Sequence, residues 1–230
     1  MLYDYDSAWD RWEDMKKYGP ASRHTRRLII KYIKDLNFKS VLDVGCGEGS
    51  LLQSLGLTGK DLEIHGVDKS ENAIKLAKSK IENGTFEVLD VSKKSLDKKF
   101  NLVICSEVLE HIEDDVSAIQ NLHKMSKYII ITAPIGKMGA EDLQVGHVRR
   151  YSKNGIVNKL ENAGFEIIEL REWGFPFYSP MYRSIIKHTA EESRSGKFGI
   201  MRKLISTMLY YIFMLNILDK GDRLVILAHS

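Results

Sequence analysis

The sequence predicts an α/β fold, a mostly parallel sheet with helices on both faces, on three observations. An apolar run, Val41-Leu42-Asp43-Val44, passes into three alternating glycines, Gly45, Gly47 and Gly49, and then into a helix. A second run, Leu62 to Val67, ends on Asp68 about 20 residues after that turn, the interval of a β-α-β unit. Two further runs, Phe100 to Cys105 and Tyr128 to Thr132, are largely apolar and β-branched, as strands covered on both faces are.

Each element has its own signal. Residues 1–37 read as a helical lead-in, with Trp9, Trp12, Met15 and Tyr18 before Gly19-Pro20, then Leu28, Ile29, Tyr32 and Ile33 at helical spacing. The glycines at the first strand-to-helix turn permit positive φ and remove the Cβ atoms that would block a ligand's approach. A dinucleotide site expects Gly-x-Gly-x-x-Gly, but here the third glycine comes one residue early and Ser50 takes its place, which disfavours a nicotinamide cofactor. Asp43 would repel a pyrophosphate and favour a ligand bearing an ammonium or sulfonium group. Asp68 ends the second strand where a carboxylate can accept ribose hydroxyls, and Asp68-Lys69-Ser70 opens a helix over Glu71 to Lys80. On that helix Ala73, Ile74 and Ala77 face inward, and Lys75, Lys78 and Lys80 form a solvated face. Thr85 to Val88 is a short third strand followed by Asp90-Val91, where Asp90 either reaches a ligand or only ends the strand.

Beyond the fourth strand, Ser106 to Ile112 is read as the start of a helix. Glu107, Glu110 and His111 would then share one face, at the carboxyl edge of the sheet where open α/β folds bind ligands. The fifth strand ends at Ala133-Pro134, and the loop Gly146-His147-Val148-Arg149-Arg150-Tyr151 lies behind it. A helix over Ser152 to Ala163 stops at Gly164, Phe165 to Leu170 alternates as a strand, and Arg223 to Ala228 supplies the last one.

At 230 residues and a net charge of +3, the chain fits one domain spanning 1–230, with no Pro/Gly/Ser linker. Its charges are interspersed, so an extended nucleic-acid track is not indicated. Cys46 and Cys105 lack metal or redox spacing and suit a reducing, cytoplasmic compartment, and no secretory segment precedes the first helix.

The block from Val41 to Ser50, followed by Asp68 and Asp90, resembles the class I S-adenosylmethionine-dependent methyltransferases, and the resemblance extends through most of the chain. It implies a Rossmann-like seven-stranded sheet in the order 3-2-1-4-5-7-6, with an antiparallel last strand pair. It also implies S-adenosylmethionine held by Asp43, Gly45, Cys46, Gly47, Gly49, Asp68, Lys69, Asp90, Val91 and Ser106. Residues 1–37 would act as a lid, and the insertion over 173–220 would choose the substrate.

Glu107-x-x-Glu110-His111 is similar to the pattern of two metal-assisted O-methyltransferase groups, those of ubiquinone biosynthesis and those of the 3′-terminal ribose of small RNAs. The second group adds a later histidine, matched by His147. That implies a divalent metal ion on Glu107, Glu110, His111 and His147. Many relatives with a similar turn hold no metal, and there His111 or His147 would serve as base, with Glu107 positioning cofactor or acceptor. His65, His123 and His188 are assigned no role.

The expected reaction is methyl transfer to a small-molecule acceptor, a hydroxyl of a sugar, lipid-linked or secondary metabolite. The alternatives are 2′-O-methylation of an RNA 3′ end and a non-catalytic S-adenosylmethionine-binding module. Trp173 to Tyr178 offers an aromatic wall or plain packing. The apolar stretch Leu204 to Leu218, about 22 Å as a helix and short for a bilayer span, reads as a buried cap, a dimer surface or a membrane-surface contact.

Overall fold

The structure, a computed structural model, describes residues 9–58, 61–186, 196–217 and 219–230. Expectations for residues 1–8, His188 and Leu218, and for the side chains of Trp9 and Trp12, lie outside the described residues.

Two helices lead the chain, Trp9–Tyr18 (α1) and Pro20–Ile33 (α2). Pro20 takes the first helical position, where its missing N–H leaves no hydrogen bond unmade. Seven strands follow: Ser40–Val44 (β1), Glu63–Asp68 (β2), Gly84–Val88 (β3), Phe100–Ser106 (β4), Ser126–Pro134 (β5), Glu166–Gly174 (β6) and Gly221–His229 (β7). They form one sheet in the order β3-β2-β1-β4-β5-β7-β6. The first five pair in parallel, and β7 runs antiparallel to both neighbours, as expected.

Side chains alternate across the sheet with the strand period of two. Leu42, Val44, Val103, Cys105, Ile129, Ile131 and Ile226 pack on one face, beneath Asp115–Met125 (α5) and Lys153–Asn162 (α7). Val41, Ile64, Leu102, Ile104, Ile130 and Val225 pack on the other, against Leu28, Ile29 and Tyr32 of α2 and Ile74 and Ala77 of Glu71–Lys80 (α4). Burying a side chain of this kind contributes roughly 1.5–3 kcal/mol, which is what keeps the strand ends in register.

Helix starts follow their caps. Ser70, Asp114 and Ser152 accept the backbone N–H of Ala73, Ser117 and Gly155 at 3.0, 3.1 and 3.0 Å, each cap contributing ~1 kcal/mol. Gly164 ends the segment after α7 at φ +100°.

Two expectations fail. Ser106 to Ile112 is no α-helix. Glu107 takes a left-handed φ of +57°, and only Leu109–His111 forms a short 3-10 turn, so the three residues do not share a helix face. The apolar stretch near the C-terminus forms a helix over Ile200–Phe213, but it is not a buried cap, because only Ser206 and Phe213 on it are buried. The remaining helices are short: Ser50–Ser54 (α3), Ala140–Gln144 (α6) and Arg183–Ile186 (α8), and Ile200–Phe213 is α9.

Candidate active site

A cavity of about 460 Å³ opens along the carboxyl ends of β1, β2 and β4. Its walls bring together Gly45, Cys46, Gly47, Asp68, Lys69, Asp90, Val91, Ser106, Glu107, His111 and His147. Asp43, Gly49 and Glu110, also expected at the site, do not line it.

The glycine turn is shaped by its neighbours. Gly45, Gly47 and Gly49 have φ of +70°, +53° and +79°. The N–H groups of Gly45 and Cys46 donate to Val67 O at 2.8 and 3.0 Å, which folds the turn over the end of β2. Asp68 then accepts from Gly47 N at 3.0 Å on Oδ2 and from Ser70 N at 2.9 Å on Oδ1. One carboxylate thus ties the turn after β1 to the start of α4, and each oxygen retains acceptor capacity for a ligand hydroxyl. Gly49 has a packing role instead: a Cβ there would lie 2.6 Å from Ile81 Cδ1. Asp43 is buried beneath the turn, and its Oδ2 has no partner. Burial and the charges of Asp68 and Glu48 push its carboxyl well above the usual range, a site that gains from a cationic ligand overhead. Asp90 accepts from Ser92 N and Ser92 Oγ at 3.1 and 2.6 Å, so it organises its own turn while lining the cavity.

The helical lead-in forms part of the cavity wall. Lys16 donates to Glu48 at 2.8 Å, pinning α1 to the glycine turn, and Arg26 donates to the carbonyls of Lys16 and Lys17. Lys16, Ala21, Ser22, Thr25 and Arg26 line the wall. Helical spacing marked only the apolar residues of this segment, and nothing local in the sequence marked Lys16 and Arg26 as site residues.

At the opposite end, the left-handed backbone at Glu107 turns its side chain toward β5 and β7. Thr132 Oγ1 donates to Glu107 Oε1 at 3.0 Å, and Arg223 donates to Glu107 Oε2 and to Tyr178 OH. Glu107 is therefore excluded from the metal-type cluster expected of it. That cluster is Glu110, His111 and His147, whose ligand atoms lie within 4.8 Å of one another. The rings of the two histidines meet edge to face at 4.7 Å.

The loop Gly146 to Tyr151 clamps this group. His111 Nδ1 lies 3.1 Å from Gly146 O, an atom that only accepts, so Nδ1 carries the proton and Nε2 the lone pair. Val148 N donates to Glu110 O at 2.9 Å, and Tyr151 OH, with Asp115 Oδ2 at 2.8 Å and Leu109 O at 3.1 Å, shares its one proton between these two acceptors. His147 Nδ1 meets Asp142 Oδ1 at 3.1 Å. Asp142 also accepts from Arg150 Nε at 2.7 Å and Nη2 at 2.8 Å. Burial alone would raise the Asp142 carboxyl, but these bonds hold it well below the carboxylate range. An ionised Asp142 makes His147 Nδ1 the donor and leaves the lone pair on Nε2, 3.9 Å from Glu110 Oε1. Burial, and next the neighbouring His147, lower His111 to about 4. Both Glu110 oxygens are buried without a partner; burial and the Glu107 charge raise its carboxyl far above normal.

Asp142, Arg150 and Arg223 went unassigned in the sequence, and Tyr178 was read only as part of an aromatic wall or plain packing. They act across 5 to 116 residues, as in the Asp142–His147, Arg150–Asp142 and Arg223–Glu107 pairs, and outside any regular helix or strand spacing.

A family model described as "Methyltransferase domain" matches residues 37–168, more than half of the chain. The chain is 34% identical over 130 residues to a ubiquinone biosynthesis O-methyltransferase of Coxiella burnetii, covering 53% of this chain and 54% of that protein. It is 32% identical over 116 residues to a putative methyltransferase of invertebrate iridescent virus 6, covering 46% and 44%. The chain thus spans about half the length of the curated relatives it matches. Among solved structures, the N-methyltransferase NodS of Bradyrhizobium japonicum, in complex with S-adenosyl-L-homocysteine, superposes with a TM-score of 0.61 at 14% identity, covering 94% of this chain and 90% of NodS. At that identity the likeness is one of fold.

Proposed function

The chain belongs to the class I S-adenosylmethionine-dependent methyltransferases, and from that premise we propose that it methylates a hydroxyl of a small-molecule acceptor, of the sugar, lipid-linked or secondary-metabolite kind. One observation carries this reading. The cavity joins a bare glycine turn and Asp68 at one end to two imidazoles with Nε2 lone pairs at the other, so cofactor and base meet in a single compartment.

S-adenosylmethionine, when bound, supplies an electrophilic methyl group on a good leaving group. The chain's own residues do the rest. Gly45 and Gly47 admit the cofactor against backbone, Asp68 holds its ribose hydroxyls, Lys69, Asp90 and Val91 line the adenine side, and the buried Asp43 favours its positive charge. Glu107, fixed by Arg223 and Thr132, positions the acceptor beside Ser106. His147 takes the hydroxyl proton at Nε2, while Asp142 holds the ring and steadies the imidazolium that forms; His111 stands next to it as the second base. Excluding water under α1 and α2 aligns donor and acceptor, which is most of what this displacement needs.

The orphaned oxygens of Glu110 favour a second version of the same reading. Glu110, His111 and His147 would hold a divalent cation, which when bound lowers the pKa of a hydroxyl beside it. A carboxylate with two imidazoles suits several such ions.

The test is transfer of label from methyl-labelled S-adenosylmethionine to a panel of sugars, phenols, polyprenyl-linked sugars and RNA, with products identified by mass. Label on a small-molecule oxygen supports the reading. Label confined to RNA, with salt-dependent binding, or tight cofactor binding without transfer to any acceptor, overturns it.

A further inference from the structure

Helix α9 wears its apolar side outward. Ile200, Met201, Leu204, Ile205, Met208 and Tyr211 are 48% to 82% exposed, and at about 100° per residue they fall in one sector of the helix. The inward side is mixed: Phe213 is buried in the core with Leu209 and Ile212 packed beside it, while Ser206 Oγ donates to Tyr18 O at 2.8 Å and Arg23 donates to Thr207 Oγ1 at 3.2 Å. A helix lying on a core in water carries polar and charged residues on its outward side, where α9 carries this apolar sector.

The charges within this segment have one sign, while the Asp14 carboxylate of α1 accepts from Phe198 N beside it. Residues 196–217 contain Lys197, Arg202 and Lys203 and no Asp or Glu. The Arg202 guanidinium lies over the Phe198 ring at 3.9 Å, and Lys203 Nζ lies over the Tyr18 ring at 4.4 Å, at the margins of the apolar sector. Among the described residues no helix is long and apolar enough to cross a membrane. An apolar helix face bordered by cations is the pattern of a helix lying in a membrane interface.

We propose that α9 seats the protein on a bilayer surface containing anionic lipid, its apolar sector sunk at the boundary of headgroups and acyl chains, with Lys197, Arg202 and Lys203 among the headgroups. A second copy fits less well. A two-fold contact through this face would bring each copy's cations toward the other's, with no carboxylate in the segment to meet them. Docking here also has a spatial consequence: α9 packs on α2, and Ala21, Ser22, Thr25 and Arg26 of α2 wall the cavity. The cavity is thereby held near the lipid. The inference stands apart from the identity of the acceptor, because it concerns binding without turnover.

Co-sedimentation of the full chain with vesicles tests it. Binding is expected to vesicles of equimolar phosphatidylcholine and phosphatidylglycerol and to fall sharply on phosphatidylcholine alone. Lys197→Gln and Lys203→Gln should each weaken the partition by about fivefold, and the effect should shrink with added salt. The double variant Leu204→Gln/Met208→Gln alters exposed positions only; it should lose more than about tenfold in partition while its affinity for S-adenosylmethionine stays unchanged. Wild-type protein that remains in the supernatant with both vesicle types overturns the proposal. So does a wild-type dimer by light scattering that the double variant turns into monomers without vesicle binding by either.

Discussion

Asp142 Oδ1 stands 3.1 Å from His147 Nδ1 and is held there by two bonds from Arg150, so the orientation of one imidazole rests on a residue five positions earlier in the chain. Replacing Asp142 by Asn offers His147 an amide in place of an anion. The ring can then present its N–H to the cavity, and the imidazolium loses its counter-charge. Turnover should drop about 10²-fold or more, with the affinity for S-adenosylmethionine retained, because Asp142 does not line the cavity. Steady-state rates beside cofactor calorimetry read both quantities. Equal activity of Asp142→Asn and the parent would remove His147 from the base role.

Gly45 sets a second test. A Cβ there would lie 2.4 Å from Val108 Cγ2 at φ +70°, so Gly45→Ala meets both a clash and a disfavoured backbone. Positive φ in a non-glycine residue costs about 1–2 kcal/mol, and the clash adds to it. Cofactor affinity should fall at least about tenfold. Adding Val108→Ala relieves the clash but not the φ, so affinity should return only in part. Full recovery would show that sterics alone select glycine here.

The sheet was legible because its central strands are almost wholly apolar: Val41 to Val44, Asp43 apart, and Leu102 to Cys105 are runs that suit strands buried on both faces. Gly45, Gly47 and Asp68 were legible as cavity-lining residues, since glycines and a strand-end acid act where they stand, whereas Asp43 and Gly49 do not line it. Glu107 was not. Helical spacing placed it with Glu110 and His111, but its left-handed φ, fixed through Thr132 and Arg223, turns it away, and neither partner is near it in sequence. For α9 three readings were open, and of these the buried cap fails: Phe213 reaches the core, but most of the helix's apolar residues face outward, which helical spacing alone does not report.

His24 makes stability depend on pH. It is buried against Trp173 at 4.5 Å, and burial, then Arg27, lower its pKa from 6.5 to about 4. Between those values the unfolded chain binds a proton that the folded chain does not, so stability rises with pH through the window and is complete above it. The full difference amounts to about 3 kcal/mol. His24→Gln should flatten the dependence of melting temperature on pH between 4 and 6.5, relative to the parent. An unaltered slope would place the dependence on other groups.

Glu110 and Glu107 separate the two versions of the chemistry. If Glu110, His111 and His147 hold a divalent cation, calorimetry with manganese or zinc should show one site that Glu110→Gln abolishes and Glu107→Gln leaves in place, because Glu107 is committed to Arg223. Chelation should then remove turnover, and the added ion should restore it. If Glu107→Gln abolishes binding as well, the ligand set is wider than the geometry assigns. If neither calorimetry nor elemental analysis finds an ion and turnover survives chelation, the pair of histidines works by proton transfer alone. Glu110 is then a neutral buried acid, and Glu110→Gln should be nearly silent in turnover, since an amide of the same shape replaces an uncharged carboxyl.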